Sequence, residues 1–330
     1  MNEYLTLVAS SGQVNTPPGS YSTIKEWIAH SFLGPQSRVL EIGCSTGFIT
    51  IEIARYVRAT CYGLDLHEQS IEAAKKNTDP YVADRVSFIS GDAGQLPFGE
   101  DEFSHVVIGG HLPFVPPEVR QNHIGQAVRV AKPWGYVLTA LYFYKSPPQK
   151  TLLDEFNREI GTRLESDNDL SYWSNLFENQ NLLLEYESIY DIVPADSERI
   201  RVYLDHLEPV SKKEWGKRLR LFNENGRYLN YFVRVYRKIP KQGTLMIQTP
   251  RGGIYQIRRI SQRFPGIATD QKTCKEKKGQ LLVSSLNALG SLIRQFPGSL
   301  DLRRMFCWND SLNGTLMYQY SLIGGMDILS

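Results

Sequence analysis

Short apolar runs alternate with amphipathic patterns along the first 145 residues of the chain. The apolar runs predict five strands: 38–42 (RVLEI), 62–66 (YGLDL), 86–92 (VSFISGD), 103–110 (FSHVVIGG) and 136–144 (YVLTALYFY). Between them, apolar residues recur at three- and four-residue spacing, which is typical of helices. Thr23 and Glu26 have the spacing of a capping box at the start of one helix. Strands and helices in alternation indicate an α/β fold, a parallel sheet with helices on both faces.

The pattern changes after residue 145. Two further strands, 182–192 and 228–239, complete a sheet of seven strands, and helical segments at about 149–183 and 195–226 lie before and between them. We predict that this first domain covers residues 1–240.

A second domain, 241–330, has the pattern of a small α+β appendage. It contains a predicted hairpin turning at 250–253, an amphipathic helix at 279–296, and a second hairpin with Asn313-Gly314 at its turn. The segment carries 12 basic against 5 acidic residues, whereas the whole chain has a net charge of only +2. Such a segment favours an anionic partner, or it is a solvated surface; the sequence leaves both open.

Composition excludes several protein classes. A chain of 330 residues with 42% hydrophobic and 22% charged residues is typical of a globular protein. It has no apolar run of the roughly 18–20 residues that a membrane span needs, and its first residues do not resemble a signal peptide. Four scattered cysteines argue against a disulfide scaffold and against a zinc site. We therefore expect a cytoplasmic protein without a metal site or a membrane contact.

The most informative stretch is residues 39–50, VLEIGCSTGFIT. An apolar strand leads through Glu41 into a turn bounded by Gly43 and Gly47, and a helix follows. Asp65, 24 residues after Glu41, ends the next predicted strand. Glycines let the backbone approach a ligand closely, while carboxylates accept hydrogen bonds from hydroxyl groups or hold a positive charge. This arrangement predicts a nucleoside site at the carboxyl ends of the strands.

Residues 39–110 resemble the class I S-adenosylmethionine (SAM) methyltransferases. The resemblance extends over about 200 residues and implies a Rossmann-like sheet, SAM as cofactor and S-adenosylhomocysteine as product. It implies the following cofactor-binding residues: Tyr21, Glu41, Gly43, Ser45, Gly47, Asp65, Leu66, Asp92 and Ala93. In the family the glycine turn passes under the amino-acid end of SAM. The acid after the second strand binds the ribose, and the acid after the third receives the adenine amino group.

Two positions depart from the family pattern. Ser45 stands where a third glycine is usual, and Trp134 replaces a glycine in the turn before the fifth strand. A nicotinamide dinucleotide site is the main competing interpretation, but it requires G-x-G-x-x-G, a spacing that Gly43 and Gly47 do not provide.

His111, His123 and Tyr144 are the candidate catalytic residues. Methyl transfer needs a base only when the acceptor is a hydroxyl or a protonated amine. His111 follows the fourth strand, and Tyr144 ends the fifth, sharing a face with Tyr142. The alternatives are a loop histidine, a helix-surface histidine and core tyrosines.

The resemblance and the helical insertions, which cover the substrate in the family, predict methyl transfer to an oxygen or nitrogen of a small molecule or small peptide in natural-product biosynthesis. A nucleic-acid methyltransferase using the basic C-terminal segment is the alternative. The turn at 111–114 (HLPF) lacks the acid or amide that methyltransferases of base amines carry there, which makes nucleic acid the weaker prediction. A homodimer through the C-terminal segment and a SAM-binding scaffold without catalysis are further interpretations.

Overall fold

The computed structural model describes residues 3–11, 15–178, 180–195, 198, 201, 204–205, 209–239, 244–248, 254–258, 305–309 and 316–320. The chain divides into two compact units, Met1–Ile239 and Pro240–Ser330.

The first unit is built on one seven-stranded sheet. Its strands are β1 (Arg38–Ile42), β2 (Thr60–Asp65), β3 (Val86–Ser90), β4 (Phe103–Ile108), β5 (Ala131–Tyr144), β6 (Leu182–Asp191) and β7 (Leu229–Lys238). Their order is β3-β2-β1-β4-β5-β7-β6, parallel from β3 to β5, with β7 antiparallel to both β5 and β6. The predicted seven-stranded Rossmann-like sheet is confirmed. β5 begins five residues earlier than predicted and includes Trp134 in the left-handed region, at φ 61°.

Helices cover both faces of this sheet. They are α1 (Glu3–Ser10), α2 (Tyr21–Ser31), α3 (Phe48–Val57), α4 (Glu68–Asn77), α5 (Pro117–Val130), α6 (Lys150–Ile160), α7 (Leu170–Glu178) and α8 (Pro209–Gly226), with a short 3₁₀ helix at Leu112–Phe114. Alternate residues of β5 face opposite ways. Val137 packs with α5 and α7 in one apolar cluster, and Leu138 packs with α2 and α3 in another. Helices on both faces are therefore confirmed as well.

The helices predicted to cover the substrate pack in two different places. Trp173 and Phe177 of α7 are fully buried against the sheet, so their side chains belong to the core and not to an exposed lid surface. α6 and α8 instead form a separate apolar cluster with α1, in which Tyr4 packs edge-on against Trp215 at a ring distance of 5.9 Å. Tyr203 and His206, within the predicted helical segment at about 195–226, lie outside the described residues.

The capping box predicted for α2 is wrong. The helix begins at Tyr21 after Ser20, and the Thr23 hydroxyl donates to the Pro18 carbonyl instead of capping the helix. Glu26 accepts hydrogen bonds from the hydroxyls of Tyr186 and Tyr190 on β6. The chain enters α2 through a turn. The Glu26 carboxylate, which would have bonded to the backbone in a capping box, is bonded to β6 instead.

The second unit contains two antiparallel hairpins. β8 (Thr244–Gln248) pairs with β9 (Ile254–Arg258), and β10 (Met305–Asn309) pairs with β11 (Leu316–Tyr320). The strand pairings agree with the two predicted hairpins. Their turns, the predicted helix at 279–296 and the lysines at 275, 277 and 278 lie outside the described residues.

Candidate active site at the carboxyl ends of the parallel strands

The turn between β1 and α3 holds three residues in the left-handed region. Gly43, Ser45 and Gly47 have φ of 77°, 47° and 86°. The backbone N–H groups of Gly43 and Cys44 both donate to the Leu64 carbonyl, at 2.7 and 3.0 Å, which fastens the turn to β2.

Two of these positions require glycine for steric reasons. A Cβ on Gly43 would lie 2.6 Å from Cβ of His111, and a Cβ on Gly47 would lie 2.8 Å from the ring of Phe88. Both distances are shorter than side chains tolerate. The glycines therefore let the turn pack directly against β3 and against the residue that follows β4.

Asp65 is bound into this turn. Its carboxylate accepts a hydrogen bond from Ser45 N at 2.8 Å and another from His67 N at 2.9 Å. A carboxylate offers about four acceptor positions, so these two bonds leave capacity for a ligand's hydroxyl groups. The structure thus brings Gly43, Ser45, Gly47 and Asp65 together, as the sequence predicted for one site.

Glu41 has a different role from the other predicted cofactor residues. It is buried, and its carboxylate accepts hydrogen bonds from Thr50 N at 2.8 Å and from the Thr50 hydroxyl. Burial raises the pKa of Glu41 to about 8, although the Thr50 bonds act in the opposite direction. Glu41 thereby holds the first turn of α3 against β1. Nothing in the sequence indicated Thr50 as its partner.

The segment after β2 presents an apolar side chain beside Asp65. Leu66 is 72% exposed, unusual for a leucine next to a buried strand. His67 caps α4, since its Nδ1 accepts from Ser70 N at 3.3 Å. An exposed leucine there fits the predicted contact with the flat face of a base.

Asp92 and Ala93 follow β3, as predicted. Asp92 is exposed and its Oδ1 accepts a hydrogen bond from Gly94 N at 2.7 Å, while Ala93 packs against the apolar cluster on the α5 face. Three polar side-chain atoms lie 3.3–3.4 Å from the position that a Cβ on Gly94 would occupy. They are Oδ1 of Asp92, Nδ2 of Asn122 and Nε2 of His123. A carboxylate, an amide and an imidazole therefore surround one small space.

His111 and His123 are hydrogen-bonded to each other. Nδ1 of His111 lies 3.2 Å from the carbonyl oxygen of Ile42, and its Nε2 lies 3.1 Å from Nδ1 of His123. Since a carbonyl only accepts, His111 carries its proton on Nδ1 and accepts from His123 on Nε2. Burial, together with the smaller effect of the neighbouring His123, lowers the pKa of His111 to about 3. Burial also lowers the pKa of His123.

Both ring nitrogens of His111 are thus engaged inside the protein. The residue connects the end of β1 to α5, and only His123 keeps a nitrogen, Nε2, turned toward the Asp92 loop. The geometry leaves His111 no nitrogen for a substrate proton.

Tyr144 is placed apart from this pair. Its side chain is 3% exposed, and its hydroxyl donates to Oδ1 of Asn225 on α8 at 3.2 Å. Burial raises the pKa of Tyr144 to about 12. These contacts are those of a core tyrosine that ties β5 to α8. Tyr142, by contrast, is 45% exposed.

The segment before α2 passes over the glycine turn. Asn15 N donates to the Thr46 hydroxyl at 3.4 Å, and the ring of Tyr21 meets the ring of Phe48 edge-on at 5.0 Å. Tyr21 is 45% exposed at the first residue of α2. The structure therefore places Tyr21 beside the start of α3, where the amino-acid end of the cofactor was predicted.

These residues fit SAM. The hydroxyl of Ser45 is buried in the turn and has no hydrogen-bond partner among the residues that the structure describes, as expected for a group that a ligand completes. Asp65 retains acceptor capacity, and Leu66 presents an apolar face.

Among the described residues, no group of three or more His, Cys, Asp or Glu side chains is placed to hold a metal ion. None of the described helices is long and apolar enough to cross a membrane.

Arg120 is a residue that the sequence reading missed. Its guanidinium is fully buried and donates to the Leu112 carbonyl at 2.9 Å, the Tyr172 hydroxyl at 2.7 Å and the Arg163 carbonyl at 2.6 Å. It thereby fixes the 3₁₀ helix that follows His111. Helical spacing could have indicated that Arg120 is buried, because it shares a face of α5 with the buried Ile124 and Ala127.

Comparison with known proteins agrees with this geometry. A family described as a methyltransferase domain matches residues 39–135. Carboxy-S-adenosyl-L-methionine synthase of Actinobacillus succinogenes is 29% identical over 135 residues, which are 39% of this chain and 55% of that protein. Across similar curated proteins, the match spans from 46% to 82% of their length.

Solved structures share the fold. The crystal structure of MccD protein superimposes with a TM-score of 0.60 at 23% identity, covering 68% of this chain and all of that one. Geranyl diphosphate C-methyltransferase from Streptomyces coelicolor A3(2), solved with S-adenosyl-L-homocysteine, gives 0.51 at 13% identity over 67% of this chain and 78% of that one. With its glycine turn, its acid after β2 and the matching domain at 39–135, this part of the chain is similar to the class I SAM-dependent methyltransferases.

Proposed function

We propose that this enzyme methylates an oxygen or nitrogen atom of a small molecule or small peptide, in natural-product biosynthesis. The observation that carries the proposal is the hydrogen bond from Ser45 N to Asp65, which joins the glycine turn and the acid after β2 into one site. In this site the turn faces the amino-acid end of SAM, Asp65 the ribose hydroxyls, and Asp92 the adenine amino group. When bound, SAM supplies a methyl group activated by its sulfonium.

The protein's own part is alignment of the acceptor and exclusion of water. A cover for the site is supplied by α1, which contacts α4 on one side and α6 on the other, and whose Tyr4 and Val8 are buried. The indole Nε1 of Trp215 donates to the Ser11 hydroxyl at 3.1 Å, which fastens the end of α1 to α8. A site covered by a helix in this way suits a small acceptor better than a polymer.

An acceptor hydroxyl or protonated amine must lose one proton as its bond to the methyl carbon forms. We assign the base to His123, since its Nε2 is the remaining nitrogen of the histidine pair. His111 positions His123 by accepting a hydrogen bond from its Nδ1–H. Tyr144, bonded to Asn225, serves the packing of β5 and not proton transfer.

Calorimetric titration of SAM into the protein tests the cofactor site. Asp65→Ala should weaken SAM binding by about 1 kcal/mol or more, because it removes hydrogen bonds to a charged group and frees Ser45 N. Asp84→Ala is the control, since Asp84 is an exposed carboxylate with a 3.9 Å contact to Arg85. Equal SAM affinity in both variants would contradict the assignment of Asp65.

Transfer of radiolabelled methyl groups tests the acceptor class. Label should appear in members of a panel of small phenols, amines and short peptides when these are incubated with the enzyme and SAM. Label in RNA or DNA but in no member of the panel would favour the nucleic-acid alternative, for which the charge of residues 241–330 is the supporting observation.

A further inference from the structure

Three tyrosines stand opposite one another across β5, β7 and β6. Tyr142 pairs with Tyr231, and Tyr231 pairs with Tyr190, in the antiparallel registers of these strands. The first two rings meet edge-on at 6.1 Å between centroids, and the second two stack at 4.9 Å. Paired residues share a face of a sheet, so the three rings form one row, which we call the tyrosine row. It lies on the face covered by α2 and α3.

Tyr190 and Tyr231, the two members of the tyrosine row nearer the β6 edge of the sheet, contact other parts of the protein. The Tyr190 hydroxyl donates to Glu26 at 2.6 Å, and this bond raises the pKa of Tyr190 to about 12. A Cβ on Gly19 would lie 2.9 Å from the hydroxyl oxygen of Tyr231, so the segment before α2 packs closely on that ring. Tyr190 and Tyr231 therefore have structural roles.

Tyr142, the inner member, is different. Its side chain is 45% exposed, yet burial raises the pKa of its hydroxyl to about 12. The exposed fraction shows that solvent reaches this side chain, while the ring of Tyr231 lies edge-on against it. No hydrogen bond to another part of the described chain takes up its hydroxyl.

Tyr142 lies at the edge of the sheet where the predicted cofactor residues meet. β4 ends at Ile108, and its last paired residue, Val107, stands opposite Leu138 of β5. Tyr142 is four residues farther along β5, or about 13 Å at the usual rise of a strand. It thus projects past the carboxyl end of β4. At that end a Cβ on Gly110 would meet nothing within 4 Å, so there is open space after the strand.

The wall formed by the tyrosine row carries no free charge. Its tyrosines have raised pKa values and stay neutral, and the Glu26 carboxylate already accepts from Tyr186 and Tyr190. A neutral aromatic wall with one free hydroxyl suits a flat, uncharged ring, since aromatic pairs gain from edge and face contacts. A cationic acceptor would find no unpaired carboxylate on this wall.

We propose that Tyr142 forms a wall of the acceptor site and that the acceptor is an uncharged planar aromatic compound. The proposal rests on the function proposed above, because it needs methyl transfer at this edge of the sheet. It names Tyr142, and not Tyr144, as the tyrosine of β5 that contacts substrate.

The test uses the full chain saturated with S-adenosylhomocysteine and calorimetric titration with matched probes. 2-Naphthol is the aromatic probe, decahydro-2-naphthol has the same skeleton without aromatic rings, and tetramethylammonium is the cationic probe. We expect measurable binding of 2-naphthol and weaker or absent binding of the other two. Tyr142→Leu should reduce 2-naphthol affinity by about two- to tenfold, the range expected for one aromatic pair. Tyr142→Phe keeps the ring and should preserve the preference.

Tyr144→Phe is the matched control, two residues along the same strand, and should bind 2-naphthol like the original protein. Thermal unfolding confirms that each variant is folded. Equal affinity for the two naphthol skeletons, preference for tetramethylammonium, failure to bind 2-naphthol, or an unchanged affinity in Tyr142→Leu would each overturn the proposal. If S-adenosylhomocysteine itself does not bind, the proposed function fails; if it binds and the naphthol results are negative, only the aromatic acceptor fails.

Discussion

Single residues shape the cofactor site chiefly through backbone conformation. Gly43, Ser45 and Gly47 all lie in the left-handed region, where an L side chain is disfavoured. Ser45 tolerates this conformation while its N–H is bound to Asp65, and its hydroxyl is buried without a partner among the described residues. The glycine pattern in the sequence therefore reflects a geometric requirement of the turn.

Gly43→Ala should destabilise the protein by about 1–3 kcal/mol, and it should weaken SAM binding. The new methyl group would meet His111 atoms at 2.6–2.9 Å in a backbone conformation that costs alanine further energy. Urea unfolding measures the first effect and calorimetry the second.

Gly110→Ala is the control for that substitution, because a Cβ there meets nothing within 4 Å. It should change the free energy of unfolding by no more than about 0.5 kcal/mol. A similar loss in both variants would mean that close packing of Gly43 on His111 is not the cause.

The buried His111 should make stability depend on pH. Its folded pKa of about 3 lies below the value of about 6.5 for an unfolded histidine, so the unfolded state binds more protons between these values. The contribution is complete above pH 6.5 and falls as the pH decreases. From pH 6.5 to 5 one such histidine costs up to about 2 kcal/mol.

His111→Gln should therefore lose less stability than the original protein between pH 7 and pH 5, measured by urea unfolding. Between pH 7 and 8 the two proteins should show the same pH dependence. An identical decline below pH 6.5 would mean that His111 is not the group that resists protonation.

At the scale of elements, the site depends on how the segment after β4 is anchored. The 3₁₀ helix Leu112–Phe114 directly follows His111 and is held by buried Arg120 of α5. The same guanidinium donates to the carbonyl of Arg163 in the loop before α7 and to the hydroxyl of Tyr172 in α7. One cation on α5 thus joins the 3₁₀ helix, the loop before α7 and α7 itself.

Arg120→Lys should lower the free energy of unfolding by about 2–4 kcal/mol. A lysine keeps the charge but cannot make the three separate contacts, so buried carbonyl groups lose their donors. Arg158→Lys on the exposed surface of α6 is the matched control and should change stability by no more than about 0.5 kcal/mol. Equal effects in urea unfolding would show that the guanidinium contacts do not anchor the segment.

For the whole molecule, the division into Met1–Ile239 and Pro240–Ser330 separates the predicted cofactor site from the basic segment. Every residue predicted to bind SAM lies in the first unit. Its strands pair only with one another among the described residues, and the second unit's hairpins likewise pair within themselves. The cofactor chemistry and the basic segment are therefore separable in principle.

Residues 1–240 alone should bind SAM and S-adenosylhomocysteine with the affinity of the full chain, within a factor of about two. Calorimetric titration of both proteins measures this. Binding by the full chain alone would mean that the basic segment completes the fold of the first unit or the site itself.

The sequence alone predicted the strand and helix alternation, the glycine turn and the acid after β2. These features depend on contacts close in the chain: strand periodicity, a tight turn and a residue at a strand end. Because parallel strands end at one edge of the sheet, Gly43 and Asp65 had to lie near each other once the fold class was known. The capping box failed for the opposite reason, since Glu26 is bound by tyrosines about 160 residues away.

Only the tertiary structure decided which side chains carry which role. It turned His111 inward onto Ile42, paired it with His123, tied Tyr144 to Asn225 across 81 positions, and left Tyr142 open at the same edge. Alternation along β5 placed both tyrosines on one face and could not tell them apart. The difference between them comes from the packing of α8, whose position the local pattern of β5 does not encode.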